Sequence, residues 1–310
     1  MLKGWDSIAE FPHEMQRYIA SSRGAPAGSH GKKGFLRLGF ERDADGRTIL
    51  RDWERRAPLI VQQALYFDEE LPDMACVYIL SSGGPNVDGD RYEQIVTLRR
   101  GSSVHLSTGA ATKLAEMRYN YSSMRQTIRL EADSYLEYLP EPIIPCRHAR
   151  YISDTLLIVE ESATLIYAET YLAGRRHFGL GERFQFDILS LSTHAEREDG
   201  ELLFREKYII QPPMHSPEGV GAMGGFEIFA NVILLTPKVI ADDIYSSTEA
   251  FYCPERGLAA GITRLHSACG LQYKILGRDS GEVKQLIRAF SSAVRMRVKG
   301  HILRPDFAWR

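Results

Sequence analysis

The stretch over residues 78–113 reads YILSSGGPNVDGDRYEQIVTLRRGSSVHLSTGAATK, and its pattern decides the fold. It begins within a short apolar run at residues 77–80, of the kind that forms a buried strand. Serine and glycine in residues 81–86 end that strand in a turn. Further strands are predicted over residues 92–98 and 104–108, and in the latter apolar and polar residues alternate. The stretch therefore indicates a β-rich domain whose short strands are joined by tight turns.

The same pattern extends on both sides of this stretch. Upstream, Leu36, Leu38 and Phe40 alternate with polar or small residues, which predicts a half-buried strand. A hairpin turn follows at residues 43–46, where Gly46 can take the positive φ that such turns need. Further strands are predicted over residues 47–50, 58–65, 125–130, 135–139, 152–159, 163–171, 184–188 and 202–210. Strand spacing alone leaves a sandwich, a barrel and a solenoid open.

Two helices are predicted after the strands. One covers about residues 237–252, and Pro237 suits its first turn. The other covers residues 280–299 and starts at Asp279, which can cap the first turn. Arg295 belongs to a basic group near the end of this helix, where the helix dipole favours cations.

The chain divides into two parts by composition. Residues 1–33 contain a run of serine, glycine, proline and alanine, so we expect a flexible N-terminal extension. Residues 34–310 are expected to form a single domain, which is β-rich over residues 34–235 and helical in the two later segments.

Composition also excludes several classes of protein. A net charge of −2 argues against a nucleic-acid-binding role, which requires a clustered basic surface. Apolar runs stay well below the ~18 residues that a membrane span needs, and the N-terminus lacks the apolar core of a signal peptide. The four cysteines are not spaced as Cys-x-x-Cys, so a tetrathiolate zinc site is not expected. These features together predict a cytoplasmic protein without nucleic-acid or membrane partners.

Several ordered motifs resemble one known family, the D-type urease accessory proteins, also called UreD or UreH. The motifs are SSGG at residues 81–84, DGDRY at 88–92, VHLSTGAATK at 104–113 and LEYLPEPIIP at 136–145, followed by Glu169, Gly174-Arg175 and Gly181-Glu182. The resemblance implies a mainly β fold of two stacked sheets with a β-helix-like course, plus two C-terminal helices.

The resemblance also implies a function. Members of this family act as a chaperone and scaffold, not as an enzyme, and assemble with the F-type accessory protein and the G-type GTPase on urease apoprotein. They are thought to conduct nickel to the nascent active site through an internal path. By this resemblance Asp90, Glu169 and Glu206 are the expected metal-path residues. No catalytic residue and no tightly bound cofactor are expected, only nickel in transit, with zinc as a weaker occupant.

The remaining motif residues are expected to have structural roles: Gly83, Gly84, Asp88, His105, Lys113, Glu141, Arg175 and Glu182. Among them, Asp88 is expected in a turn, His105 in a structural hydrogen bond and Arg175 in a pair with Glu182. The alternative is a β-helical hydrolase or carbohydrate-binding protein with a carboxylate cleft. Such a protein would use paired carboxylates and stacked tyrosines, for which the candidates are Tyr66, Tyr78, Tyr92, Tyr138 and Tyr167.

Overall fold

The computed structural model describes residues 12–20, 31–219 and 221–307 of the 310-residue chain. In chain order its elements are α1 (Gln16–Ala20), β1 (Lys33–Arg42), β2 (Thr48–Arg56), β3 (Leu59–Ile60), β4 (Ala75–Ser81), β5 (Arg91–Leu98), β6 (Ser103–Thr108), β7 (Thr112–Leu114), β8 (Ser122–Leu130), β9 (Tyr135–Tyr138), β10 (Ile143–Pro145), β11 (Arg150–Val159), β12 (Thr164–Leu172), β13 (Ile188–Glu196), β14 (Leu202–Ile210), β15 (Ile228–Leu235), α2 (Lys238–Ser247), β16 (Phe251–Cys253), β17 (Leu258–Arg264), β18 (Gly270–Gly277) and α3 (Ser280–Lys299).

The strands form two sheets. The first has the order β14-β13-β11-β8-β5-β1-β2, and the second has the order β16-β17-β18-β15-β12-β9-β6-β4-β3, with β7 and β10 at its side. In the first sheet, the adjacent strands β1, β5, β8, β11 and β13 run parallel to one another. In the second sheet, the adjacent strands β4, β6, β9 and β12 are also parallel. Apart from β7 and β10, consecutive strands from β4 to β13 alternate between the sheets. The predicted mainly β fold with a β-helix-like course is therefore confirmed.

Two apolar cores hold these layers together. Inward-facing side chains of both sheets, such as Leu38, Val96 and Leu165, meet in the core between the sheets. The outer face of the second sheet packs against α2 and α3, and Phe290 of α3 stacks on Tyr273 at 5.0 Å between ring centroids. Burying each large apolar side chain contributes about 1.5–3 kcal/mol. The second sheet is thus covered on both faces.

The two C-terminal helices are present, but one is shorter than predicted. α3 begins where the Asp279 side chain accepts a hydrogen bond from the Glu282 backbone N–H, and it ends at Gly300 in the left-handed conformation. α2 ends at Ser247 because Thr248 is extended, so the prediction of a helix to residue 252 is wrong. None of the helices among the described residues is long and apolar enough to cross a membrane.

Three strand predictions also need correction. The β-rich part does not stop at residue 235, since β16, β17 and β18 follow and β18 pairs with β15. The strand predicted over residues 184–188 starts only at Ile188, because Phe184 is held at φ 52° in the preceding turn. The strand predicted over residues 58–65 is reduced to β3 and an isolated bridge at Leu65.

The expected flexible extension over residues 1–33 does not hold for its described part around α1. Met15 is buried, and it packs with Tyr18 against Ile152 and Ile188 of the first sheet. Glu14 accepts a hydrogen bond from Ser190 and forms an ion pair with Lys207. Apolar contact and an ion pair therefore fix this segment to the sheet, although little before Gly34 was expected to pack firmly. Residues 1–11 and 21–30 lie outside the described residues.

Candidate functional site

A line of polar side chains crosses the first sheet, and we call it the polar row. Its members are register neighbours on adjacent strands: Gln94 on β5, Gln126 on β8, Thr155 on β11, Thr193 on β13 and Glu206 on β14. The next inward-facing residues along four of these strands belong to the apolar core: Val96, Ile128, Leu157 and Ala195. Because the strands are in register, a polar residue at one equivalent position on each gives a continuous polar layer between the sheets.

Two tyrosines of the second sheet satisfy the central part of the polar row. Tyr138 and Tyr167 stack with 5.3 Å between their ring centroids. The Gln126 amide Nε2 donates to the Tyr138 hydroxyl at 2.7 Å and to Gln94 Oε1 at 2.9 Å. The Tyr167 hydroxyl lies 3.0 Å from Gln126 Oε1 and 3.1 Å from the Thr155 hydroxyl. These buried polar groups are therefore paired, as burial away from water requires.

Glu169 extends the polar row toward the second sheet. Its Oε1 accepts hydrogen bonds from the Tyr167 hydroxyl at 2.9 Å and from the Tyr171 hydroxyl at 3.0 Å. Burial, with a smaller contribution from the nearby Glu206, raises the pKa of Glu169 to about 7 against the lowering effect of the two tyrosine hydrogen bonds. A carboxyl group in this environment lies near the balance between its neutral and charged forms at neutral pH.

Glu206 lies at one end of the polar row and is nearer to solvent, with 17% of its side chain exposed. Lys274 donates to its Oε1 at 2.8 Å, and the amides of Gln272 and Asn231 donate to its Oε2 at 2.5 and 3.1 Å. Asn231 on β15 is in turn the register neighbour of Glu169 on β12. The structure therefore brings Glu169 and Glu206, two of the three expected metal-path residues, into one connected polar region.

Asp90, the third expected metal-path residue, lies away from the polar row, directly before the start of β5, the strand that carries Gln94. It is fully buried, and its Oδ2 accepts from the Tyr92 hydroxyl at 2.8 Å and from the Val87 N–H at 3.0 Å. The Lys32 backbone N–H donates to Oδ1 at 2.9 Å, and the Lys32 ammonium lies 3.2 Å from Oδ2. A carboxylate with these partners holds the β4–β5 turn, and a cation could bind it only by displacing Lys32.

The polar row offers oxygen ligands in small numbers. Among the described residues, no three His, Cys, Asp or Glu side chains converge closely enough to hold a metal ion. Glu169 and Glu206 instead stand among hydroxyl and amide groups, which are ligands for hard and borderline divalent cations. Such sparse ligation suits a cation that passes through, because binding must be weak enough for release.

Comparison with known proteins places the chain in a family. The family model described as UreD urease accessory protein matches residues 32–310. The chain belongs to this UreD family. Urease accessory protein UreD 2 of Brucella suis biovar 1 (strain 1330) is 44% identical over 296 residues, which cover 96% of this chain and 98% of that relative. Urease accessory protein UreD of Photorhabdus laumondii is 40% identical over 297 residues, covering 96% of this chain and 92% of that relative. The resemblance inferred from the motifs is thus confirmed.

A buried ionic cluster in this UreD-family chain was missed by sequence reasoning. Arg295 of α3 is fully buried and donates through Nε and Nη2 to the two carboxylate oxygens of Glu137, both at 2.7 Å, and through Nη1 to Asp68 at 2.5 Å. The expected hydrogen bond of His105 is present, with Nδ1 2.9 Å from Glu137 Oε2. Burial alone would raise the pKa of Glu137, but hydrogen bonds from His105 and Arg295 outweigh it and hold that pKa at about 2. Arg295 therefore serves as the counter-charge of two buried carboxylates, a role that its place in the basic group at the end of α3 did not indicate.

The expected turn residues of the UreD motifs occupy turns. Both oxygens of Asp88 accept backbone N–H groups of residues 118–120, at 2.7–3.1 Å. Arg175 pairs with Glu182 through two hydrogen bonds of 2.6 Å, and this contact lowers the pKa of Glu182. Gly174 makes the turn possible, because a Cβ there would lie 1.9 Å from the Glu182 carbonyl oxygen.

The other motif residues support neighbouring elements. Gly83 packs against Pro58, where a Cβ would approach within 2.9 Å, and Gly84 takes a φ of 67° in the same turn. Glu141 forms an ion pair with Lys284 of α3. Lys113 lies exposed on β7. These residues shape the UreD-like body and lie outside the polar row.

The arrangement does not favour the hydrolase or carbohydrate-binding alternative. That alternative requires stacked aromatic side chains in an open groove beside paired carboxylates. Tyr138 and Tyr167 do stack, but they are 4% and 0% exposed, so a sugar ring cannot reach them in this UreD-family fold. Glu169, the carboxylate beside them, is 9% exposed.

Proposed function

We propose that this UreD-family chain is a non-catalytic scaffold for urease maturation in the cytoplasm. It assembles with the F-type accessory protein and the G-type GTPase on urease apoprotein and helps to deliver nickel to the active site. Within this chain, nickel moves along the polar row between the two sheets. Membership of the family supports the accessory role, and the connected polar region from Gln94 to Glu206 supports an internal route.

The observation that carries the proposal is the continuity of the polar row. A cation that enters an apolar protein interior would lose several kcal/mol of hydration free energy without replacement ligands. Here hydroxyl and amide oxygens stand at successive strands, and Glu169 supplies a carboxylate among them. Glu206 then offers a second carboxylate near the opposite edge, already shared with Lys274. Asp90 remains in the proposal as an outer carboxylate that Lys32 would have to release.

The experiment measures nickel bound per urease after maturation with wild-type chain, with Glu169→Gln, and without the chain. Glu169→Gln keeps an oxygen acceptor for Tyr167 and Tyr171 and removes the negative charge. We expect an accessory complex of normal composition but a urease nickel content lowered at least about fivefold. The matched control is Glu249→Gln at an exposed position, which should leave nickel content unchanged. Normal nickel content with Glu169→Gln would remove Glu169 from the route.

A second arm tests the route rather than one carboxylate. Thr155→Val replaces a hydroxyl in the middle of the polar row by a methyl group of similar size. The Thr155 hydroxyl lies 3.1 Å from the Tyr167 hydroxyl and donates to Gln126 at 3.2 Å. We expect slower nickel loading at equal complex formation, and an unchanged rate would contradict passage along this line.

A further inference from the structure

A large opening lies at the ends of β4 and β6 and reaches one end of the polar row. It is a cavity of about 590 Å³ between the turn at residues 81–86 and the turn at residues 108–112, and we call it the β4–β6 pocket. Its floor includes Gln94, the first member of the polar row. A cavity of this volume falls in the range of pockets that bind a small molecule or a few residues of peptide.

The walls of the β4–β6 pocket are held by backbone hydrogen bonds. The Gly109 N–H donates to Ile79 O at 2.9 Å, and the Asn86 N–H donates to Lys113 O at 2.8 Å. The Thr112 N–H donates to Pro142 O at 2.9 Å. Both turns are therefore tied to neighbouring strands, and the cavity exists before any occupant arrives. A preformed cavity lowers the conformational cost of binding.

Asn86 has an unpaired side-chain hydrogen-bond donor buried in the wall of this pocket. The residue is 3% exposed and lines the cavity, and its backbone is paired on both sides, with Lys113 and with Ala115 at 2.8 Å. Its side-chain Nδ2 has no hydrogen-bond partner among the described residues. Leaving a buried donor unsatisfied costs about 1–3 kcal/mol, so an occupant with an acceptor oxygen would be favoured here.

The charge and polarity of the lining define that occupant further. Among the described residues that line the pocket, Lys113 carries a charge and there is no carboxylate. Much of the remaining wall is aliphatic, including Leu59, Ile79 and Met124. An anionic oxygen group beside Asn86 and Lys113 and an aliphatic chain against the wall would match both features.

We propose that the β4–β6 pocket binds a short aliphatic segment of a partner protein through a carboxylate, either a free C-terminus or an acidic side chain. The Asn86 side chain turns to present Nδ2 to the carboxylate, which also pairs with Lys113, and aliphatic side chains contact Ile79 and Met124. The choice of a protein rests on the proposed function, since an occupant here lies over the Gln94 end of the polar row, where a nickel route requires a neighbouring protein.

The test uses the full chain with methyl labels on isoleucine and methionine and follows their NMR signals. The probe is N-acetyl-leucyl-leucine with a free carboxylate, compared with its C-terminal amide and with 4-methylpentanoate. We expect the dipeptide acid to shift the signals of Ile79 and Met124 and to bind about tenfold more tightly than the amide. The small acid should bind at least about tenfold more weakly than the dipeptide acid, because it fills less of the cavity.

Variants separate the two recognition elements. Lys113→Glu should abolish the preference for acid over amide, whereas Lys238→Glu, at an exposed lysine outside the pocket, should preserve it. Ala111→Trp places a large ring at the rim and should abolish binding of both dipeptides. Shifts at other sites, equal binding of acid and amide, or binding unaffected by Ala111→Trp would overturn the proposal. Binding of 4-methylpentanoate as tight as the dipeptide would reassign the pocket to a small acid. These measurements contain neither nickel nor urease, so their outcome is independent of the nickel-route test.

Discussion

Replacing Glu169 by glutamine should stabilise the protein at neutral pH. Burial raises the pKa of Glu169 from 4.5 to about 7, so the folded state favours its neutral form. The difference corresponds to about 3 kcal/mol, at 1.36 kcal/mol for each pH unit. In the wild type the fold loses this free energy as pH rises from 4.5 to about 7, and above 7 the loss is complete. Glutamine resembles the neutral acid and keeps an acceptor for Tyr167 and Tyr171.

Urea unfolding of wild type and Glu169→Gln, measured at intervals from pH 4.5 to 8.5, tests this expectation. The difference in unfolding free energy should be near zero at the acid end and should grow to about 3 kcal/mol in favour of the variant above pH 7. Titrating groups that do not interact with residue 169 contribute equally to both proteins and cancel in the difference. Glu249→Gln, at an exposed carboxylate, should show no such growth. A difference that is constant with pH, or a variant less stable than wild type at pH 8, would refute the reasoning.

Three further substitutions test the structural features around the site, each by urea unfolding. Arg295→Met leaves the carboxylates of Glu137 and Asp68 buried without their cation. It should lower the unfolding free energy by about 3–5 kcal/mol, and a loss below about 1 kcal/mol would mean that the cluster is hydrated. Gly174→Ala forces a Cβ to within 1.9 Å of the Glu182 carbonyl oxygen and should cost about 1–3 kcal/mol, so a neutral effect would contradict this turn geometry. Asp279→Ala removes the α3 cap and should cost about 1 kcal/mol, whereas Asp279→Asn should cost less.

The two-sheet architecture was predictable from the sequence, but the polar row was only partly so. The spacing of short strands, together with the motif resemblance, led to the correct fold class. Gln94 could have been singled out from the sequence. It lies on the same inward-facing side of β5 as Tyr92, Val96 and Leu98, and a polar residue among buried apolar positions indicates a special role. The sequence could not provide the register that sets Gln94 on β5 beside Gln126 on β8, because that register depends on the geometry of the turns and strands between them.

Long-range ionic contacts were also beyond sequence reasoning. Arg295 lies in a basic C-terminal helical turn, where a surface role is the usual interpretation. Its burial becomes visible only when α3 is packed over the second sheet and Glu137 lies beneath it. Likewise, the segment around Glu14 precedes a run with linker composition, and only its contacts with Ser190 and Lys207 show that it is fixed.

The Arg295–Glu137 contact has a consequence during synthesis on the ribosome. Glu137 is translated 158 residues before Arg295. At about 5–20 residues per second, Arg295 is synthesised about 8–32 s after Glu137. During that interval the outer face of the second sheet lacks α3, and its acidic centre must remain in contact with water. Closure of this half of the protein is therefore a late event, and a nascent chain halted before Arg295 would expose a large apolar surface to aggregation or to chaperones.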